Sequence, residues 1–405
     1  MAARKKEYVE VEELIELQEI CSMTIATSPA ALIETHFGEL KDPRAAHSIE
    51  HQLIDILIIT ICATICGAND WEAIAQYGRT KQDWLKTWLE LPNGIPSPDT
   101  FNRVFARLKP EELQKCFIGW MQAVQTVTEG ELLNIDGKVL RGAKEAGNSR
   151  SLIHMVSVWS ASQHLVLAQQ KVSEKSNEIT VIPALLKLLA VRGCLVSIDA
   201  MGCQTEIAKV IIEQGADYVL ALKGNQGDLH TDVVQLFTSA RKQNFTNIEH
   251  QFHLTVSNGH GRTETRRYWT MGNTEYLLGA QKWSGLRSIG MVESQREING
   301  KVSIEQRYYI LSIQSDVQRF ATAVRSHWSI ENQLHWILDV GFGEDAVQSC
   351  SGYSAENLAV IRHIGINLLS RDKESKVGIK TRRLQAGWDD NYLKTVLSAL
   401  NIVTA

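Results

Sequence analysis

Leu132-Leu-Asn-Ile-Asp-Gly-Lys138 opens with a short apolar run that stops on a carboxylate, and Cys194-Leu-Val-Ser-Ile-Asp199 repeats the pattern. Compact apolar runs of this length, bounded by turn formers, read as buried strands. Leu152–Trp159 and His164–Val172 read as two more strands about a short turn. Asn177 is placed to cap a helix ending near Gly193, Met201–Gln214 is a helix closed by Gly215, and Asp217–Leu222 is a strand. Strands alternating with helices predict an α/β domain, a mixed sheet with helices on its faces.

Outward from this core the pattern changes on both sides. Residues 1–125 read as helical throughout. Val9–Ile20, Ser48–Cys66, Asp70–Tyr77, Thr80–Leu89, Asp99–Leu108 and Glu111–Val127 are separated by Gly67, Gly78 and a run of prolines at 92, 96 and 98. From about 228 to 318 apolar residues alternate, as in Arg266–Thr270, Ile289–Glu293 and Tyr308–Ile313, which predicts a β-rich insertion. Ala321–Val340 and Ala355–Leu369 return to helix. Arg371–Arg383 holds Arg371, Lys373, Lys376, Lys380, Arg382 and Arg383 against Asp372 and Glu374. The expected domains are a helical N-terminal domain (1–125), a catalytic α/β domain (126–372) with its insertion, and a basic C-terminal tail (373–405).

Composition sets limits. The chain has 405 residues, which calls for two or three cores at ~150 residues each. Hydrophobic residues at 44% and charged residues at 22% exclude a disordered or collagen-like chain. A net charge of −4 excludes a polycation but not a local basic face. No apolar run follows Arg4, Lys5 and Lys6, so no secretion signal is read there. Leu53–Cys66 falls short of the ~20 residues of a membrane span and contains Asp55, so it reads as a buried helix. The 7 Cys are odd in number and form no CxxC, which predicts a reduced, cytoplasmic protein.

Asp136 and Asp199 end their strands in similar settings. A buried carboxylate is costly unless it is paired or holds a metal. On adjacent central strands the two would converge at one edge, and a divalent cation held by oxygen ligands, Mg²⁺ or Mn²⁺, would relieve their repulsion. The alternative is that each Asp caps the turn after it. In the later helix, His327, Glu331 and His335 stand four apart and share one helical face. Glu331 completes the Asp136/Asp199 site, or the His-Glu-His face holds zinc without the HExxH spacing, or all three form a solvated face.

Taken together, these blocks resemble the DDE triad of bacterial insertion-sequence transposases, in particular the H-repeat-associated (Rhs-element) family. The resemblance rests on Asn134-Ile-Asp-Gly-Lys138, Lys175-Ser-Asn-Glu-Ile179, Ile198-Asp-Ala-Met-Gly-Cys-Gln204, Ala221-Leu-Lys-Gly-Asn-Gln226, His260-Gly-Arg-Thr-Glu264, His327-Trp-Ser-Ile-Glu331 and His335-Trp336. It covers about nine-tenths of the chain, including Leu53–Cys66 and Pro98–Leu108.

The resemblance implies a ribonuclease H-like catalytic core with a β-rich insertion between Asp199 and Glu331. It implies catalysis by Asp136, Asp199 and Glu331 with two Mg²⁺ ions, Asp136 bridging them, and cleavage and joining of double-stranded DNA without a covalent intermediate. Pairing two DNA ends implies a homo-oligomer in the DNA complex.

Candidate DNA contacts are Lys138 and Arg141, with Lys144 beyond them, and Lys223, Asn225 and Gln226 at a strand end. His260, Arg262 and Arg266, with Arg267, stand in the insertion, and His327 precedes Glu331. Trp269 is a candidate for stacking on an unpaired base, with core packing as the alternative. Trp71–Tyr77 and Asp99–Leu108 are candidates for a helix-turn-helix presenting Asn102, Arg103 and Arg107.

Two departures stand out. Wider relatives carry Tyr and Arg before the Glu and Lys after it, where this chain has Val324, His327 and Leu338. The family pattern also implies a short basic segment after Glu344-Asp345, yet Ala346-Val-Gln-Ser-Cys-Ser-Gly352 has no Lys or Arg. Beside an active transposase, the second departure motivates an alternative, a catalytically weakened or repurposed DNA-binding derivative.

Overall fold

The computed structural model describes residues 30–124, 129–144, 152–172, 178–259, 261–272, 274–346 and 351–399. They fall into two compact units, 30–124 with 340–399 and 129–144 with 152–339. The sequence reading kept residues up to 372 with the sheet, whereas by contact the chain from 340 onward joins the N-terminal helices.

The helical unit begins with α1 (Ala31–Phe37), α2 (Leu53–Ile65), α3 (Trp71–Thr80), α4 (Gln82–Leu85), α5 (Pro98–Arg107) and α6 (Pro110–Val124). Local chemistry sets their starts. Asp70 accepts the Ala73 N–H at 2.8 Å to cap α3, and Ser97 caps α5 with Pro98 at its first position. The α2 helix is buried on nearly every face, as its unbroken apolar sequence requires. Burial pushes its Asp55 up to about 6. α4 and the proline-rich loop stand between α3 and α5, so no short turn joins them as a helix-turn-helix would need.

The second unit is built on one nine-stranded sheet. Its strands are β1 (Leu132–Lys144), β2 (Leu152–Ser160), β3 (Leu165–Val172), β4 (Leu195–Ile198), β5 (Asp217–Leu222), β6 (Gln251–Gly259), β7 (Arg262–Met271), β8 (Ser288–Ile298) and β9 (Lys301–Leu311). They lie in the order β3-β2-β1-β4-β5-β9-β8-β7-β6. The β1, β4 and β5 strands are parallel, and every other pairing is antiparallel. β4 is fully buried, which suits a short strand, apolar but for Ser197, at the centre of a parallel set.

The helix α7 (Glu178–Leu188) joins β3 to β4, and α8 (Thr205–Glu213) joins β4 to β5. The insertion is β-rich as expected but opens with a helix, α9 (Gly227–Lys242). Its four strands extend the main sheet through the β5–β9 pairing.

α10 (Val317–Ser329) is capped by Asp316, which accepts the Gln318 and Arg319 N–H groups at 3.1 and 3.0 Å. Its Phe320 and Val324 pack with Tyr268, Val292 and Tyr309 of the insertion and with Leu195 and Val219 of the parallel strands. Phe320 lies directly on Gly290, where a Cβ would come within 2.5 Å of its ring, so only glycine admits this approach. The helix then widens into two π-helical segments, Ile330–His335 and Ile337–Gly341, where an unbroken α-helix was expected.

Three helices return to the first unit: α11 (Ser354–Ser370), α12 (Ile379–Trp388) and α13 (Asp390–Ser398). α11 is buried from Ser354 to Leu369. Its Asn357 donates to the Phe105 and Leu108 carbonyls at 2.8 Å each, satisfying acceptors at the end of α5.

The expected basic tail is mostly helix, and two of its cations face inward. Arg383 is 3% exposed and donates to the Thr64 carbonyl at the end of α2. Arg382 donates to the carbonyls of Leu369, Asp372 and Ser375. Cations at helix C-termini complement the carbonyl dipoles there. No helix among the described residues is long and apolar enough to cross a membrane.

Candidate active site

The parallel pairing of β1 with β4 ends at Ile135–Ile198, so Asp136 and Asp199 come next on adjacent strands. β1 itself runs on to Lys144, and Asp136 therefore sits in mid-strand, opposite Ser157 of β2, rather than at a strand end. Each carboxylate also serves its local turn. The Gly137 N–H reaches Asp136 Oδ1 at 2.9 Å, and the Met201 and Gly202 N–H groups reach Asp199 Oδ1 at 3.0 and 3.3 Å. Turn capping, read from sequence as an alternative to a site, thus coexists with the placement of the two acids on adjacent strands.

Two residues before each Asp, hence on the same sheet face, stand the register partners Asn134 and Ser197. The Ser197 hydroxyl donates to Asn134 Oδ1 at 2.6 Å. The Asn134 amide in turn donates to the Ser326 carbonyl and hydroxyl of α10, at 2.9 and 3.0 Å. His327 Nδ1 lies 3.0 Å from Ser197 Oγ. Because the Ser197 proton goes to Asn134, the imidazole must bring the Nδ1 proton to this contact. Burial holds His327 down to about 4, against a rise from the Asp199 charge, so the ring is neutral at pH 7. This network joins the helix leading to Glu331 to both Asp-bearing strands. Sequence reading passed over Asn134 and Ser197. Their signal was a polar residue inside each apolar run, two positions before the acid.

His327, Glu331 and His335 go to different partners. His327 meets Ser197, and His335 Nδ1 stands 3.7 Å from Asp136 Oδ2. Glu331 is exposed and lines a cavity with insertion arginines. The π-helical turn begins between His327 and Glu331, which changes the four-residue stacking of a plain α-helix. A shared His-Glu-His zinc face is not formed.

Asp136 and Glu178 respond to the charge around them. Asp136 is pushed up to about 7, by burial first and then by the charges of Asp199, Glu331 and Glu178, against the lowering Gly137 hydrogen bond. Glu178 opens α7 and is also raised, by burial and by Asp199. Its carboxylate lies on Gly137, where a Cβ would meet Glu178 Oε1 at 2.0 Å. Glu178 belongs to the Lys175–Ile179 motif. Among the described residues, no three His, Cys, Asp or Glu side chains converge closely enough to hold one ion in this geometry. Burial first, and neighbouring carboxylate charge second, make Asp136 resist ionisation, and carboxylate oxygens are the donor type that suits a hard divalent cation.

The expected DNA contacts divide. Lys138 pairs with Asp339 at 2.5 Å and its side chain is 9% exposed, so its charge is met inside the protein. Asn225 and Gln226 donate to the Ala200 and Cys203 carbonyls, bracing the turn after Asp199, with Asn225 exposed and Gln226 half-buried. His327 is turned to Ser197. Lys223 and Arg141 are exposed. Arg262 and Arg266 line the cavity beside Glu331. His260 and residues 347–350, which include Gln348, lie outside the described residues. Trp269 is 8% exposed and packs on Phe245 and Phe252, with ring centroids 6.1 and 5.3 Å away, so core packing claims it.

Comparison with known proteins bears on this arrangement. Residues 128–368 match the transposase DDE domain, and residues 34–121 match the DDE_Tnp_1-associated family. YhhI of Escherichia coli K12, an H repeat-associated protein named as a transposase, is 39% identical over 368 residues, 90% of this chain and 97% of its own. YncI of Escherichia coli O157:H7, also named as a transposase, is 40% identical over 368 residues, 90% of this chain and 94% of its own. A solved piggyBac transposase synaptic complex with hairpin DNA aligns with 94% of this chain and 83% of its own at 12% identity and a TM-score of 0.45, too distant to inform the site. The matched domain spans Asp136, Asp199 and Glu331, and the likeness to the H-repeat proteins runs through both units: this chain belongs to the insertion-sequence DDE transposase family.

Proposed function

We propose that the sheet-bearing unit carries out metal-dependent cleavage of insertion-element DNA ends and their transfer into target DNA. On this reading β3-β2-β1-β4-β5 is a ribonuclease H-like core. Asp136, Asp199 and Glu331 are its catalytic carboxylates. The observation that carries the reading is the adjacency of Asp136 and Asp199 where the β1–β4 pairing ends, with the segment leading to Glu331 tied down through Asn134, Ser197 and His327.

Those three carboxylates would hold Mg²⁺ or Mn²⁺. The bound cations supply activation of the nucleophile and stabilisation of the leaving oxygen. The chain's own residues set the stage. Burial around Asp136 lowers the local dielectric, and neutral His327 adds no charge while fixing its helix against Ser197. Asn225 and Gln226 hold the turn carrying Asp199. In each step a water or 3′-hydroxyl oxygen bonds to phosphorus in line with the departing 3′-oxygen. No covalent bond to the protein forms. Two ends of double-stranded DNA are the partners, and joining them calls for at least two copies of the chain. The protein acts on DNA in the bacterial cytoplasm.

A second reading is a catalytically weakened, DNA-binding derivative. The absence of Lys and Arg from Ala346–Gly352 favours it. A relative named as an inactive transposase, YbfQ of Escherichia coli K12, is 45% identical over 74 residues, 18% of this chain.

Strand cleavage on DNA carrying the natural flanks of this gene, with Mg²⁺ or Mn²⁺, decides between the two. Nicking at the element boundary by wild type, lost in Asp199→Asn, supports the first reading. Binding without nicking in either metal sinks it and supports the second.

A further inference from the structure

The motif His260-Gly-Arg-Thr-Glu264 places an acid among the arginines of the insertion, and the fold gives that acid a position. Direct register partners share a sheet face, so Glu264 lies with Arg296, Arg266 with Ser294, and Val292 with Arg307. Arg262 stands on the same face of β7, two residues from Glu264. Across from these strands, the helix and its π-helical extension present Arg325, Trp328 and Glu331. Together they enclose a cavity of about 260 Å³.

Five guanidiniums (Arg262, Arg266, Arg296, Arg307 and Arg325) face three carboxylates (Glu264, Glu305 and Glu331) in its lining. Glu264 is only 6% exposed and contacts two of the arginines, Arg266 at 2.6 Å and Arg296 at 3.3 Å. Those contacts hold the Glu264 carboxyl below its usual range despite burial. Arg307 pairs with Glu305 at 2.8 Å and lies 4.6 Å over the Trp328 ring. Among the described residues no carboxylate pairs with Arg262 or Arg325. The cavity is therefore net positive, has Arg266 and Arg296 held by Glu264, and adjoins a proposed catalytic carboxylate.

We propose that this cavity seats a backbone phosphate of one DNA strand beside Glu331, and that Glu264 is a positioning residue that orients Arg266 and Arg296 toward it. The proposal rests on the DNA-transfer reading above. Guanidinium forks match a phosphate's paired oxygens, and a fixed fork loses less entropy on binding than a free one. A duplex, whose major groove alone is ~12 Å wide, is far too large for a space of this size, whereas a single sugar-phosphate unit fits. Glu264 lowers the cavity's net charge, so its presence is explained by geometry rather than by attraction.

The test is fluorescence anisotropy of single-stranded and duplex oligonucleotides across a salt series, on the full chain. Arg325 is exposed and Arg307 half-buried at the cavity wall, so both can be changed without emptying the core. Arg307→Gln and Arg325→Gln should each weaken binding about 3- to 10-fold and lower the salt slope by about one. Glu264→Gln removes a negative charge, which by bulk electrostatics tightens DNA binding. A positioning role predicts the opposite, a several-fold loss, partly restored in Glu264→Asp.

Tighter or unchanged binding in Glu264→Gln, or unchanged affinity and slope in both arginine variants, overturns the proposal. Calorimetry with inorganic phosphate separates the sources. Phosphate bound as tightly as the oligonucleotide, with only that binding lost in the arginine variants, would make this a free-anion site and overturn the DNA assignment. Arginine-dependent DNA binding without any nicking by wild type would instead sink the catalytic reading and leave this one standing.

Discussion

Ser197 of β4 donates its hydroxyl to the side chain of Asn134, its register partner on β1, at 2.6 Å, and through that pair both Asp-bearing strands hold one helix. Ser197 also meets His327, and Asn134 reaches Ser326. Two neutral polar residues buried between strands would be a liability if unpaired. Here each satisfies the other and the helix above.

Removing this link should loosen the segment that carries Glu331. Ser197→Ala leaves Asn134 Oδ1 and His327 without their shared partner. A loss of about 1–3 kcal/mol in unfolding free energy is expected, with nicking reduced at least tenfold and DNA affinity within twofold of wild type. Urea melts with parallel cleavage assays check this. Full activity at reduced stability would show that the link is structural alone.

His327 gives a pH signature. Its folded pKa is depressed to about 4, by burial, from the ordinary 6.5. Its contribution to stability is therefore fully present above pH 6.5 and is lost as pH falls through about 4. Asp136 runs the other way. It is raised to about 7, so its contribution is present below the ordinary 3.8 and is lost as pH rises through 7. Comparing wild type with His327→Gln cancels the Asp136 part. The stability gap between the two should shrink by as much as ~3 kcal/mol from pH 7 to pH 4. A gap independent of pH would show that His327 titrates normally in the folded chain.

Gly137 and Glu178 should be coupled. A Cβ at 137 would come 2.0 Å from Glu178 Oε1, so Gly137→Ala forces the carboxylate or the strand to move. A cost of about 1–3 kcal/mol is expected, as for other overpacked sites. Glu178→Ala in the same chain should recover most of it. A double-mutant cycle by thermal or urea unfolding measures the coupling, and additive losses would exclude it.

Trp269 should behave as a core residue. It is buried against Phe245 and Phe252, with the Arg241 guanidinium 5.6 Å from its ring. Trp269→Ala should cost about 3–5 kcal/mol, while Trp269→Phe should cost less and leave oligonucleotide affinity unchanged. A selective loss of single-strand binding in Trp269→Phe, without destabilisation, would return Trp269 to the DNA surface.

Much of the site was legible because it depends on local pattern. Apolar runs of period two or none marked β1, β4 and β5. The acids at 136 and 199 stood out because a buried strand has few reasons to end on a charge. The insertion was visible from alternation in Arg266–Thr270 and Tyr308–Ile313, although α9 at its start was not, since Gly227–Lys242 mixes polar and apolar residues without strong contrast. Lys138, Asn225 and Gln226 read as phosphate contacts because a sequence shows charge and polarity but not the partner. Asp339 and the Ala200 and Cys203 carbonyls answer them in the fold.

By itself the sequence picked out Asp136, Asp199 and Glu331 as candidate acids and marked most strands and helices, because spacing along the chain sets which side chains share a face. The tertiary structure alone decided the rest. It joined residues 340–399 to the N-terminal helices, set Arg382 and Arg383 of the basic tail at helix C-termini, and widened the Glu331 helix into a π-helical segment. It also brought Asn134 to Ser326 across 192 residues of chain. Each outcome depends on burial and hydrogen-bond satisfaction between segments far apart in sequence, where local periodicity carries no information about the partner.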